Sequence, residues 1–191
     1  CGEFGGEDNI AFKTAAAFFK ASGINAGADI KIEKRIPSAA GMGGGSADAA
    51  AVLVGLDKLY EAKLSYEKLL KIAVKLGADV PFLIRGGTAR AKGIGEILEP
   101  IKPIGGCYFL IAKGESKPST GEMFRLLDSA DYNKPDIEKT ATAINSQDMV
   151  SLRASMDNSF AALWRESRIK AELLKTDADA VSLSGSGPAW F

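Results

Sequence analysis

Residues 41–45 hold four glycines, interrupted only by Met42, and Ser46 follows directly. No other stretch restricts the fold as strongly. An alanine-rich apolar run begins at once, with Ala49, Val52, Leu53, Leu56 and Leu59 spaced on one face of a helix over residues 46–60. Upstream, residues 28–36 (ADIKIEKRI) partly alternate, Ile30 and Ile32 against Lys31 and Glu33, and read as a strand that Pro37 ends. A glycine loop between a strand and a helix start places free first-turn N–H groups and the positive end of the helix dipole at the loop. That arrangement suits phosphate, and glycine lets the main chain approach such a ligand closely. The loop lacks the Gly-Lys-[Ser/Thr] ending of a P-loop, and Ser46 stands where Gly-x-Gly-x-x-Gly needs its third glycine. The competing reading is a flexible turn whose helix is capped by Ser46 or Asp48.

What the rest of the chain excludes narrows the chemistry. Its 191 residues contain no histidine, so a Ser-His-Asp triad, a Cys-His pair and a His-based zinc site are absent from it. Lys+Arg and Asp+Glu are equal at 24 each, which gives no overall field for nucleic acid or an anionic membrane. An anion site must therefore be local. Cys1 and Cys107 are isolated thiols without metal or redox spacing, which fits a reducing cytoplasm. No apolar run reaches bilayer length.

The remaining pattern mixes helices and strands without strict alternation, which predicts an α+β fold. Helices are expected over residues 8–22, from Ser65 to a stop at Gly77, from a Ser119–Glu122 capping box through Leu127, and over roughly 136–146, 150–163 and 165–175. Strands are expected at 79–84 (DVPFLI), at 88–101 as a hairpin about Gly93 and Gly95, at 107–112 (CYFLIA), and near the end around the glycine turn of AVSLSGSGPAWF. A domain boundary is expected near 103, giving parts 1–103 and 104–191.

The string PSAAGMGGGSADAA (37–50) resembles the phosphate-loop motif of the GHMP kinases, with methionine for leucine and one extra glycine. KRIP before the loop, LGADVPF (76–82), GGTARAKGIGE (86–96) and SGSGP (184–188) resemble further family strings in the family's order. They point to the branch whose acceptor is a cytidine diphosphate alcohol. The resemblance implies a ribosomal protein S5 domain 2-like nucleotide domain followed by a ferredoxin-like domain. It implies ATP with Mg²⁺, and transfer to the 2-hydroxyl of 4-diphosphocytidyl-2-C-methylerythritol in non-mevalonate isoprenoid synthesis. Another GHMP small-molecule kinase, or a non-catalytic nucleotide-binding fragment, remains the alternative. The implied setting is cytoplasmic, with small-molecule partners, no nucleic acid or membrane, and a monomer or homodimer.

Site residues follow from the same resemblance. The ATP phosphates fall to Pro37, Ser38, Ala39, Ala40, Gly41, Met42, Gly43, Gly44, Gly45, Ser46, Ala47 and Asp48, with Ser46 also toward the metal. Lys34 and Asn9 match positions on the adenine side, or are ordinary surface residues. Asp79 matches the catalytic aspartate, against the plainer reading of a capping or solvated residue, and aspartate is a residue type that can accept a hydroxyl proton. Gly185 and Gly187 match the third family motif, whose turn packs against the phosphate loop, or form a simple turn. Thr120 and Phe124 match the segment against the cytidine; alternatively Phe124, with Leu127, only anchors its helix. The family's N-terminal lysine and Gly-Tyr-His element find no match, so the chain reads as an incomplete piece, truncated also at its C-terminal end and inactive alone.

Overall fold

Capping chemistry decides where most elements of this chain begin and end. The computed structural model describes residues 6–191; Cys1 lies outside the described residues. Helix α1 (Ile10–Ser22) starts where the Asn9 side chain accepts from the Ala11 amide at 2.8 Å, and stops at Gly23 in the left-handed conformation. Helix α2 (Gly44–Leu59) follows the glycine loop, and α3 (Tyr66–Leu76) is capped by Ser65, which accepts from the Lys68 amide. After α4 (Val80–Arg85), β1 (Ala89–Lys92) and β2 (Ile97–Pro100) form an antiparallel hairpin, Ala89 opposite Pro100 and Lys92 opposite Ile97. Then come α5 (Thr120–Asp128), α6 (Ile137–Ser146), α7 (Met149–Ser155), a 3₁₀ turn (Ser159–Trp164) and α8 (Arg168–Leu173). The fold is α+β. No helix among the described residues is long and apolar enough to cross a membrane.

Two compact units emerge. The first holds the described residues through Arg35 together with Gly43–Pro100. Its core gathers Phe18 from α1, Ala49, Leu53 and Leu56 from α2, Leu69, Ile72 and Ala73 from α3, and Val80 from α4. Phe18 is wholly buried and meets Phe19 and Tyr60 at 5.4 and 6.3 Å between ring centres, so truncating it to alanine costs about 3–5 kcal/mol. Tyr60 also ties down the following strand-like stretch by donating to the Gly27 carbonyl at 2.6 Å.

The second unit holds Ile36–Met42 and Ile101–Phe191. Its core is Leu173, Leu183 and Trp190, with Phe160, Trp164, Ile169 and Val181 against it. Residues 182–184 pair back on 189–191 around the glycine turn: Ser182 and Phe191 exchange N–H···O bonds, and the Ser184 amide donates to Ala189.

Several sequence expectations are corrected. Residues 79–84 form α4, not a strand: a short apolar run suits either, and Pro81 fits the first helical turn, where its missing N–H is not needed. Residues 28–36 carry a strand's alternation, but no described residue supplies a neighbouring ladder and none forms. In 107–112 only Ala112 pairs, with Trp190, while Tyr108, Phe109, Leu110 and Ile111 stay exposed. The expected helix at 150–163 divides into α7 and the 3₁₀ turn at Met156–Asn158, where Asn158 restarts the chain by accepting from Phe160. Leu59, expected inward, is exposed at the last turn of α2.

Candidate functional site

The glycines shape the start of α2 directly. Gly43 occupies the N-cap with φ +66°, a left-handed conformation, and Gly44 and Gly45 form the first helical residues. The helix therefore begins two residues earlier than its apolar pattern suggested. No side chain caps it. Ser46 and Asp48 lie inside the helix and neither makes a cap hydrogen bond, so the capping alternative is overturned. The Ala47 amide closes on the Gly43 carbonyl at 2.8 Å, which leaves the N–H groups of Gly44, Gly45 and Ser46 without a capping side chain. The Ser46 hydroxyl has no hydrogen-bond partner among the described residues. Asp48 instead receives a 2.5 Å hydrogen bond from Lys34 Nζ. A helix start of this kind offers donors and a positive dipole end to an anion.

The Gly77–Asp79 junction lies next to that serine. A Cβ on Gly77 would stand 3.8 Å from Ser46 Oγ and 3.5 Å from Val80 Cγ2. Asp79 holds the N-cap position of α4 but makes no side-chain cap hydrogen bond, and it is exposed. Its carboxylate therefore does not cap α4, while its exposure agrees with the solvated alternative. Leu83 of α4 reaches within 3.8 Å of the Cβ position of Gly43. From the other side the hairpin turn closes in: Gly95, at φ +112°, approaches so near that a Cβ there would run into the Ala78 carbonyl oxygen. The strings around 76–82 and 86–96 are therefore neighbours because main chain touches main chain.

The earlier part of the loop belongs to the second unit. Ala40 accepts from the Ala189 amide at 3.2 Å, and the Gly41 carbonyl accepts from Ser184 Oγ at 3.1 Å. A side chain on Gly41, at φ +75°, would strike the Ser184 carbonyl, and one on Gly185 would come to 2.7 Å from the Gly41 oxygen. Gly185 and Gly187 thus sit on residues 40 and 41. Two residues without a local signal hold this turn: Asn158 donates to the carbonyls of Leu183 and Gly185 at 2.9 and 2.8 Å, and Trp164 Nε1 donates to Ser186 at 3.2 Å. Their distance along the chain hid them.

Helix α5 begins with the expected capping box. Ser119 accepts from the Glu122 amide, and the Glu122 carboxylate accepts from the Ser119 hydroxyl at 2.7 Å and its amide at 2.9 Å. Those bonds, the hydroxyl's first, hold the Glu122 carboxyl below its ordinary pKa. Thr120 opens the helix, exposed. Phe124 stands one turn on, about half exposed, with its ring edge-to-face on Phe160 at 4.9 Å. Lys117 carries no local signal in the sequence, yet its Nζ donates to Ser186 Oγ at 2.6 Å and to Thr120 Oγ1 at 3.0 Å. Burial alone pushes its pKa down. Asn9 caps α1, as described above. No group of three or more His, Cys, Asp or Glu that could hold a metal occurs among the described residues.

Comparison with known proteins fits this arrangement. Residues 9–87 match the GHMP kinases N terminal domain. The 4-diphosphocytidyl-2-C-methyl-D-erythritol kinase of Alkaliphilus metalliredigens is 41% identical over 191 residues, covering 97% of this chain and 66% of that protein. The enzyme of the same description from Carboxydothermus hydrogenoformans is 43% identical over 190 residues, again 66% of its length. The chain thus spans about two thirds of the length of these curated relatives. A crystal structure of 4-(cytidine 5'-diphospho)-2C-methyl-D-erythritol kinase superposes with a TM-score of 0.72 at 30% identity, over 100% of this chain and 70% of that one. Homoserine kinase from Cytophaga hutchinsonii, at 17% identity and a TM-score of 0.69, shares the fold.

Proposed function

The chain belongs to the GHMP kinases, and from that membership we propose that the protein carrying it transfers the γ-phosphoryl group of ATP to the 2-hydroxyl of 4-diphosphocytidyl-2-C-methylerythritol. The observation that carries this reading is the uncapped glycine start of α2, with Ser46 against the Gly77–Asp79 junction. Phosphoryl transfer asks a protein to hold phosphates, neutralise charge and orient a hydroxyl, more than to form covalent bonds.

The amides of Gly44, Gly45 and Ser46 hold phosphate oxygens of ATP. Lys34 and Asn9 lie on the nucleotide side, and the Lys34–Asp48 pair fixes the first turns of α2 beside them. The donor set fits Mg²⁺ in one respect: Ser46 brings a hard hydroxyl oxygen with no protein partner among the described residues, and Mg²⁺ takes oxygen donors, phosphates and water among them. When bound, the ion neutralises charge on the phosphates. Asp79 orients the acceptor hydroxyl and takes its proton. Thr120 and Phe124 offer the cytidine one polar contact and one ring face. The turn at Gly185 and Gly187 braces residues 40 and 41. Under this proposal residues 1–103 are the ATP-binding part and 104–191 the second part, and the protein works in the cytoplasm.

The test offers the full-length protein ATP with equimolar cytidine compound, mevalonate, homoserine and galactose, and identifies the phosphorylated product. Preferential phosphorylation of the cytidine compound supports the proposal. Preference for another acceptor keeps the kinase and overturns the substrate.

A further inference from the structure

Lys117 is half-buried in the second unit, yet the described residues give its ammonium no carboxylate partner. The two acidic residues nearest along the chain are committed elsewhere. Glu115 accepts from Ser167 Oγ at 2.9 Å and from the Arg168 amide at 2.9 Å, and Glu122 closes its capping box with Ser119. What Lys117 meets are two neutral hydroxyls, Ser186 on the glycine turn and Thr120 at the head of α5. A partly desolvated cation compensated only by hydroxyls is an unfavourable arrangement unless an anion completes it. An ammonium has three N–H donors, and the hydroxyls take two of them.

We propose that Lys117 is a phosphate-binding residue, its ammonium taking a diphosphate oxygen of a bound nucleotide while Ser186 and Thr120 hold it in place. Lysine serves phosphate as a compact point charge and needs no bidentate geometry. Its lowered pKa has the same physical origin, burial without a counter-charge. Thr120 is the residue placed against the cytidine in the function proposed above, so the diphosphate of the acceptor is the nearer source; the inference rests on that reading for its ligand. The phosphates of ATP are the other source of the same chemistry.

Calorimetric titration of the full-length protein with cytidine, cytidine diphosphate and ADP separates these. Lys117→Met should weaken cytidine diphosphate by about ten- to a hundredfold, the scale of one charge-assisted bond. Cytidine and ADP should change by less than about twofold. Weakening of ADP with cytidine diphosphate unchanged keeps the phosphate site and assigns it to the donor nucleotide. Unchanged binding of both diphosphates overturns the proposal, as does an equal loss for cytidine and cytidine diphosphate. If Lys117→Met does not fold, Lys117→Gln keeps a donor to the hydroxyls, removes only the charge, and is read in the same way. Unmodified protein that binds ADP but neither cytidine compound contradicts the proposed acceptor, and the ADP arm then decides Lys117.

Discussion

The Ser46 hydroxyl lies 3.8 Å from the point where a Cβ on Gly77 would stand, and Gly77 precedes Asp79 by two residues. The side chain that ends the glycine loop and the junction that carries the carboxylate are therefore neighbours within one unit. Neither lies there by chance of a flexible loop. Leu83 packs beneath Gly43, and the hairpin turn presses its main chain on Ala78.

That contact separates two glycines by their tolerance of a methyl group. Gly77 has φ 172°, extended backbone open to any residue, and its Cβ would make only ordinary contacts. Gly95 has φ +112° and no space before the Ala78 carbonyl. Gly95→Ala should cost about 1–3 kcal/mol, or roughly 2–4 °C of Tm per kcal/mol at this size. Gly77→Ala should move Tm by less than about 2 °C. Thermal unfolding of the two variants side by side checks the contrast, and equal losses would refute it.

Asp79→Asn keeps the shape of the junction and removes the proton acceptor. In the full-length protein the chemical step should fall by about a hundredfold or more. ATP affinity should hold, since the carboxylate faces the acceptor in the proposed arrangement. Rapid-quench single turnovers read the step apart from binding. A variant that turns over at a near-normal rate makes Asp79 structural.

Phe124 is about half exposed, although its ring edge also meets Phe160. Phe124→Ala should raise KM for the cytidine compound by about tenfold, the scale of one lost base–aromatic stack, and leave KM for ATP unchanged. A fall in Tm with both KM values intact would show that the ring only anchors α5 on the 3₁₀ turn.

The head of α5 carries a pH dependence. Its capping box lowers the Glu122 pKa below 4.5, first through the Ser119 hydroxyl and then through the Ser119 amide. A lowered carboxyl pKa in the folded state adds stability that is complete above the ordinary value and is lost as pH falls through the lowered one. Glu122→Gln keeps an acceptor at the position and removes the titration. Denaturant unfolding at pH 7, 5 and 3 should show the wild-type advantage over Glu122→Gln at the two higher values, shrinking at pH 3. A constant difference across the range would contradict the assignment.

Local chemistry was readable in the sequence wherever a residue acts on its own neighbours. Ser65 caps its helix, Ser119 and Glu122 form their box, and Gly93 and Gly95 mark the hairpin, whereas the Asn9 cap of α1 was not expected. Legibility ended where a partner distant along the chain decides. Residues 28–36 and 107–111 have the composition of strands but no described ladder beside them. DVPFLI is too short for periodicity to separate helix from strand, and tertiary packing under Gly43 chose helix. Within the site, the glycine loop was visible as composition, whereas the contacts of Asn158, Trp164 and Lys117 with the 183–187 turn span 22 to 69 residues and leave no local mark.

In the proposed function the uncapped first turn of α2 holds nucleotide phosphate. Titrating ADP into ¹⁵N-labelled full-length protein reads the relevant amides one by one. The Gly44, Gly45 and Ser46 resonances should show the largest saturable shifts, while those at the capped start of α3, Tyr66 to Lys68, stay still. Saturable ADP binding that leaves the three α2 amides unmoved would contradict the claim.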